Sequence, residues 1–211
     1  MATRFDRWAS TYEDSALQPV LFVPVHQTVL HLTQRFLPRP RRVLDVGCGT
    51  GRLLRHARQR YPGAELVGVD LAGRMLEAAV AATPTELAIR YVHACAEQLP
   101  FTDELFDLVF ATMSVRHWTD RAAGIAEIGR VLTPGAVVVL ADVFPASCHR
   151  RAVTVPPLRR RRRPSVPAEL DSVLAAHRLA VVGFDHTRWL RLPDVQVIAA
   201  QHQPAAAPAL G

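Results

Sequence analysis

Three glycines at alternate positions punctuate the run Val43-Leu44-Asp45-Val46-Gly47-Cys48-Gly49-Thr50-Gly51. Glycine has no Cβ, so a backbone built this way can turn sharply and come close to a bound molecule. A second acidic residue, Asp70, stands nineteen positions beyond Gly51, at the end of Leu66-Val67-Gly68-Val69. A carboxylate there can accept hydrogen bonds from both hydroxyls of a ribose. A plain strand-to-helix turn would explain the glycines alone, and an exposed aspartate would explain Asp70 alone. Together they point to a nucleoside. A dinucleotide loop spaces its glycines GxGxxG, with the third packing helix against strand. Here Arg52 occupies that third place, so the spacing speaks against a nicotinamide enzyme.

These residues need a scaffold, and the hydrophobic pattern supplies one. Short apolar runs at Val43–Val46, Leu66–Val69, Ile89–His93, Phe106–Thr112 and Val137–Ala141 alternate with helical periodicity at Thr50–Tyr61, Gly73–Ala82 and from Asp120 to Pro134-Gly135. Alternation of this kind implies right-handed crossovers and a doubly wound, mostly parallel α/β sheet. Ligands of such sheets bind at the carboxyl ends of the strands, where the glycine turn falls. After an irregular stretch, 144–167, with Pro145, Pro156, Pro157, Pro164, Pro167 and the run Arg159–Arg163, a helix from Ala168 to Arg178 and two strands, Ala180–Leu190 and Val195–Gln201, close the sheet with an antiparallel hairpin. Residues 1–40 read as an N-terminal helical cap broken at Pro19 and Pro24, 41–203 as the α/β domain, and 204–211 as a frayed tail.

Composition sets outer bounds. The chain has 211 residues, 49% hydrophobic and 21% charged, as in a soluble globular protein. No apolar run approaches the roughly 18 residues needed to span a bilayer, and the charged N-terminus does not read as a secretory signal. A cytoplasmic location is expected. Cys48, Cys95 and Cys148 lack zinc spacing, so free thiols and no metal site are expected. All 25 basic residues are arginine and the net charge is +6. Each is a planar fork suited to carboxylates and phosphates.

The order of motifs resembles the class I S-adenosylmethionine-dependent methyltransferases. Asp45 with Gly47-Cys48-Gly49-Thr50-Gly51 is similar to that family's first motif, and Gly68-Val69-Asp70-Leu71 with Met75-Leu76 to its second. Ala96-Glu97-Gln98-Leu99-Pro100-Phe101 and Phe106-Asp107-Leu108-Val109 resemble the third and fourth, and Glu127–Gly135 the approach to the fifth strand. Phe5-Asp6-Arg7-Trp8-Ala9 with Tyr12-Glu13 resembles the entry of the ubiquinone/menaquinone-methyltransferase-like branch.

The resemblance implies a methyltransferase that uses S-adenosyl-L-methionine and acts on a small-molecule acceptor through an oxygen, nitrogen or carbon nucleophile. It implies that Gly47, Cys48, Gly49 and Gly51 lie against the methionine and ribose portions of the cofactor. Asp45 helps to hold the amino end, Asp70 takes the ribose hydroxyls, and Leu71 and Met75 cover the adenine. Ala96 and Glu97 lie near the adenine edge, Ala111 and Thr112 face the methionine end, and Tyr12 closes over it. Cys95 stands where the family often has aspartate, and is read as a small buried filler. Ala136 replaces the second glycine of the usual Pro-Gly-Gly turn, at little cost unless that position needs a positive φ. His117 is the substrate-facing candidate and would be a base only where the acceptor loses a proton; His26, Asp142 and His149 are weaker ones. The short cap and connection imply an open pocket or a lid lent by a second copy. Two other readings stay open: a cofactor-binding subunit without catalysis, and a nucleic-acid methyltransferase using Arg159–Arg163, although no aromatic residues interleave that run. An acidic acyl carrier protein or a carboxylated metabolite is equally compatible with that run, and a lid lent by a second copy would make a homodimer.

Overall fold

The computed structural model describes residues 5, 6, 20, 22–144, 166–187 and 194–204. Tyr12, His149, Cys148, the run Arg159–Arg163 and most of the tail lie outside them.

Among the described residues seven strands form one sheet, in the order β3-β2-β1-β4-β5-β7-β6. They are β1 (Arg42–Val46), β2 (Glu65–Asp70), β3 (Ile89–His93), β4 (Phe106–Thr112), β5 (Leu132–Asp142), β6 (Leu179–Thr187) and β7 (Val195–His202). The pairs among β1 to β5 are parallel, and β7 runs antiparallel to both β5 and β6. The chain moves outward from β1 to β3, then returns to place β4 on the other side of β1. That reversal opens a crevice above the carboxyl ends of β1 and β4.

Side chains that alternate along each strand feed two cores. On one face Leu44, Val67, Val109, Val138, Leu140 and Ile198 pack under α4 (Arg121–Val131) and α5 (Ala168–Ala176). On the other Val43, Leu66, Leu108, Phe110, Val137 and Val139 pack under α1 (Val23–Phe36) and α2 (Arg52–Arg60). Burial on both faces explains why Val137–Leu140 of β5 is unbroken valine and leucine. Helix α3 (Gly73–Ala82) crosses from β2 to β3.

The helix starts follow local chemistry. Pro24 opens α1, where its missing N–H is not needed. The Asp120 carboxylate caps α4 by accepting from Ala123 N at 3.0 Å. That helix stops at Val131, before the expected Pro134-Gly135. Leu132, wholly buried opposite Phe106, already enters β5, and an irregularity in register follows it. Burial of Leu132 overrides the turn signal of Pro-Gly. Gly135 takes a φ of +81°, whereas Ala136 is not among the residues of positive φ, so the replacement of the second glycine costs no strain. The final hairpin forms as expected, with β6 ending at Thr187.

One network fastens the loop between β3 and β4 to α4. Glu127 accepts from Leu99 N at 2.8 Å and pairs with Arg130 at 2.7 Å. Arg130 donates in turn to Phe101 O (2.8 Å), Leu99 O (3.0 Å) and Asp103. The Arg130 guanidinium holds the Glu127 carboxyl below its usual pKa of 4.5. A depressed carboxyl stabilises the fold above its unfolded pKa and loses that contribution as pH falls through the folded value. Glu127→Ala should therefore destabilise by about 1–3 kcal/mol at pH 7 in urea titrations. The gap to the parent should shrink below pH 4.5.

Candidate functional site

The glycine turn is built by hydrogen bonds to the neighbouring strand. Gly47 N and Cys48 N both donate to Val69 O, at 2.8 and 2.9 Å, and Gly51 N closes the turn on Cys48 O at 2.9 Å. Gly47, Gly49 and Gly51 have φ of +76°, +53° and +75°. A Cβ at Gly47 would lie 2.4 Å from Ser114 Cβ, and one at Gly51 would lie 2.1 Å from the Tyr91 hydroxyl. A Cβ at Gly49 would meet nothing within 4 Å. Close packing therefore explains two of the glycines, while Gly49 combines left-handed backbone with an open side. Asp70 completes the turn: Oδ2 accepts from Gly49 N and Oδ1 from Ala72 N, both at 2.8 Å.

This turn forms one wall of a cavity of about 560 Å3. Asp45, Gly47, Cys48, Gly49, Thr50 and Arg52 contribute from β1 and the start of α2, and Val69, Asp70, Leu71 and Met75 from β2 and α3. Ala94, Cys95, Ala96 and Glu97 follow β3, and Thr112 to Ser114 with Arg116 to Thr119 follow β4. Phe5, Phe22 and His26 reach it from the N-terminal segment.

Its electrostatics are uneven. Asp45 is 2% exposed, and its Oδ1 has no hydrogen-bond partner among the described residues. Burial, reinforced by the nearby Asp70 charge, pushes the Asp45 carboxyl up to about 8. Burial raises Asp70 as well, and the donors Ala72 N and Gly49 N oppose it. Burial also lifts the Cys48 thiol. His26 shows the reverse effect: burial, then His56, Arg52 and Arg55, lower it to about 3. Thr112 Oγ1 and His26 Nδ1 are buried without a partner among the described residues.

The segment after β4 is held at several points. Met113 adopts a φ of +55°, a costly conformation for a side chain with a Cβ. Ser114 Oγ donates to Val46 O at 2.8 Å. Arg116 pairs with the wholly buried Asp142. Glu97 Oε1 accepts from Thr119 N (2.7 Å) and Asp120 N (3.1 Å). His117 meets Phe5 edge to face at 5.0 Å.

Residues 44–140 match the family model described as a methyltransferase domain. The chain is 41% identical over 107 residues to a demethylmenaquinone methyltransferase of Deinococcus radiodurans, covering 50% of this chain and 44% of that one. It is 34% identical over 145 residues to a malonyl-[acyl-carrier protein] O-methyltransferase of Halorhodospira halophila, covering 69% and 48%. Over these residues the chain is similar to the class I S-adenosylmethionine-dependent methyltransferases. It spans about half the length of these curated relatives. The fold matches that of the N-methyltransferase NodS of Bradyrhizobium japonicum, solved in complex with S-adenosyl-L-homocysteine. The TM-score is 0.67 at 18% identity, over 85% of this chain and 86% of that one.

Most residues expected from sequence border this one cavity: Asp45, Gly47, Cys48, Gly49, Asp70, Leu71, Met75, Cys95, Ala96, Glu97, Thr112 and His117. Two do not. Gly51 faces Tyr91 and serves as the left-handed residue before α2. Ala111, expected to face the methionine end, is wholly buried in the core, because its strand position points under α4 while Thr112 points to the cavity. Cys95 is half-buried and borders the cavity, which corrects the expectation of a buried filler. Of the weaker candidates, His26 borders the cavity, and Asp142 sits behind it, tied to Arg116. Sequence reasoning passed over Phe5, Phe22, Arg52, Met113, Ser114 and Arg116. Only proximity to His117 in the sequence hinted at the last.

A carboxyl raised by burial favours the folded state while protonated, and that advantage fades as pH climbs from the unfolded value of 3.8 to about 8. Asp45→Asn should thus gain on the parent in ligand-free melting temperature between pH 5 and pH 8 and level off above. Calorimetric scans across that range check this.

Proposed function

We propose that the chain transfers a methyl group from S-adenosyl-L-methionine to a small-molecule acceptor, leaving S-adenosyl-L-homocysteine. One observation carries the reading: a glycine turn bonded to Asp70 stands beside a buried carboxylate, Asp45, whose Oδ1 has no partner among the described residues. The donor set fits the cofactor. Asp70 accepts from the backbone N–H groups of Gly49, Ala72 and Leu71; a carboxylate has about four acceptor sites, so about one is left for a ribose hydroxyl. The open side of Gly49 allows close approach. Asp45 supplies the negative charge that an α-ammonium needs, and the orphaned Thr112 Oγ1 a further polar contact. Leu71, about half exposed at the rim, and buried Met75 offer an apolar seat for a base.

When bound, the cofactor supplies a methyl group activated by its sulfonium. The chain's part is to orient and to exclude water, which can account for much of the acceleration. Trp118 and the Phe5–His117 pair wall the side on which an acceptor would enter. For an acceptor that must lose a proton, His117 is the base. Nothing among the described residues favours a non-catalytic subunit or a nucleic-acid substrate.

Titration calorimetry tests the reading. S-adenosyl-L-methionine should bind the parent, and Asp70→Ala should weaken binding by about 10- to 100-fold, the loss of charge-assisted hydrogen bonds. Ionisation of Asp45 against the ammonium should release protons at pH 7, seen as a dependence of the heat on buffer. Absence of any heat in the parent would defeat the proposal.

A further inference from the structure

We propose that Arg116 recognises the acceptor, and that the acceptor is an apolar molecule carrying one ionised acid group. The inference deepens the reading above and rests on it, since it presumes that the turn and Asp70 hold the methyl donor.

Arg116 is clamped at one end. Its backbone N–H donates to Asp142 Oδ2 at 2.9 Å, and its Nη1 donates to Asp142 Oδ1. Val143 N also donates to Oδ1, at 2.7 Å. Asp142 is wholly buried, and both its oxygens have partners inside the protein. Nη1 further touches Met113 Sδ at 3.6 Å. All the polar bonds of Arg116 run through its backbone N and Nη1; Nε and Nη2 have no partner among the described residues. Yet the side chain is one-third exposed and borders the cavity.

A buried carboxylate needs a cation, and that need alone would explain an arginine here. It does not explain the rest of the arrangement. A fork fixed at one nitrogen presents its remaining N–H edge in a set orientation, which suits a carboxylate or another anionic oxygen pair. Strained Met113, three residues before Arg116, packs its sulfur on the same guanidinium. Strain of this kind gathers where a ligand is held. The same cavity is lined by the apolar Phe5, Phe22, Met113 and Trp118. Trp118 packs against α4, where a Cβ at Gly124 would fall 2.5 Å from it. Of the negative side chains on the cavity, Asp45 and Asp70 stand at the ends of β1 and β2, and Glu97 has its Oε1 engaged by Thr119 N and Asp120 N. A cationic acceptor would therefore meet Arg116 on the β4 side, whereas an acid with an apolar body meets a matching charge and a matching wall.

The test uses the protein saturated with S-adenosyl-L-homocysteine and two probes, octanoate and octanamide, followed by calorimetry. Octanoate should bind the parent at least about 10-fold more tightly than octanamide, as expected of a charge-assisted bidentate contact. Arg116→Met should erase that preference while leaving homocysteine-nucleoside affinity within about 2-fold, and Arg116→Lys, a charge without the fork, should keep only part of it. Equal binding of acid and amide by the parent, or a preference that survives in Arg116→Met, overturns the proposal. Failure of the parent to bind S-adenosyl-L-homocysteine overturns the donor reading, and this inference with it.

Discussion

The site depends on a bond between two strand ends: Gly49 N donating to Asp70 Oδ2, at 2.8 Å. With Gly47 N and Cys48 N on Val69 O, it locks the turn after β1 to the end of β2. The three glycines reach positive φ without the penalty that a side chain would bring. This turn in turn sets the start of α2 and the position of Asp45. A rigid rim of this kind holds its donors and acceptors in place before any ligand arrives.

The buried polar groups of the site are kept at a cost to the fold. Asp45 is buried without a partner among the described residues, and burial of an unpaired charge is expensive enough that the group is held mostly neutral near pH 7. His26 is kept neutral from the opposite direction, by burial and by neighbouring cations. Such opposed shifts in one cavity mark a place where polarity serves binding more than stability.

Around this rim, ion pairs and capping carboxylates fix the loops. Glu127 and Arg130 fasten the stretch between β3 and β4, Glu97 holds the entry to α4, and Asp142 holds Arg116. Each carboxylate accepts backbone N–H groups that no strand or helix would satisfy, so irregular segments gain defined shapes. Precise loops on a rigid sheet are what alignment of two reactants requires.

The run from Val43 to Gly51, the acid at Asp70 and the alternation of strand and helix were enough to read a doubly wound sheet and to expect a glycine turn beside Asp70 at its rim. These features are local: strand periodicity, absent side chains and fixed spacing are written in consecutive residues. The early end of α4 at Val131 was not legible, because it follows from burial of Leu132 against Phe106 on another strand. The exclusion of Ala111 from the cavity depends on which way one strand faces, and the exposure of Cys95 on how a loop packs. Arg116 and Asp142 are 26 residues apart and became partners only when β4 and β5 lay side by side. The sequence alone determined the architecture and the glycine rim, since both rest on short-range pattern. Tertiary structure decided which side chains share the cavity and which charges stand unpaired, since contact and desolvation arise only when distant segments pack together.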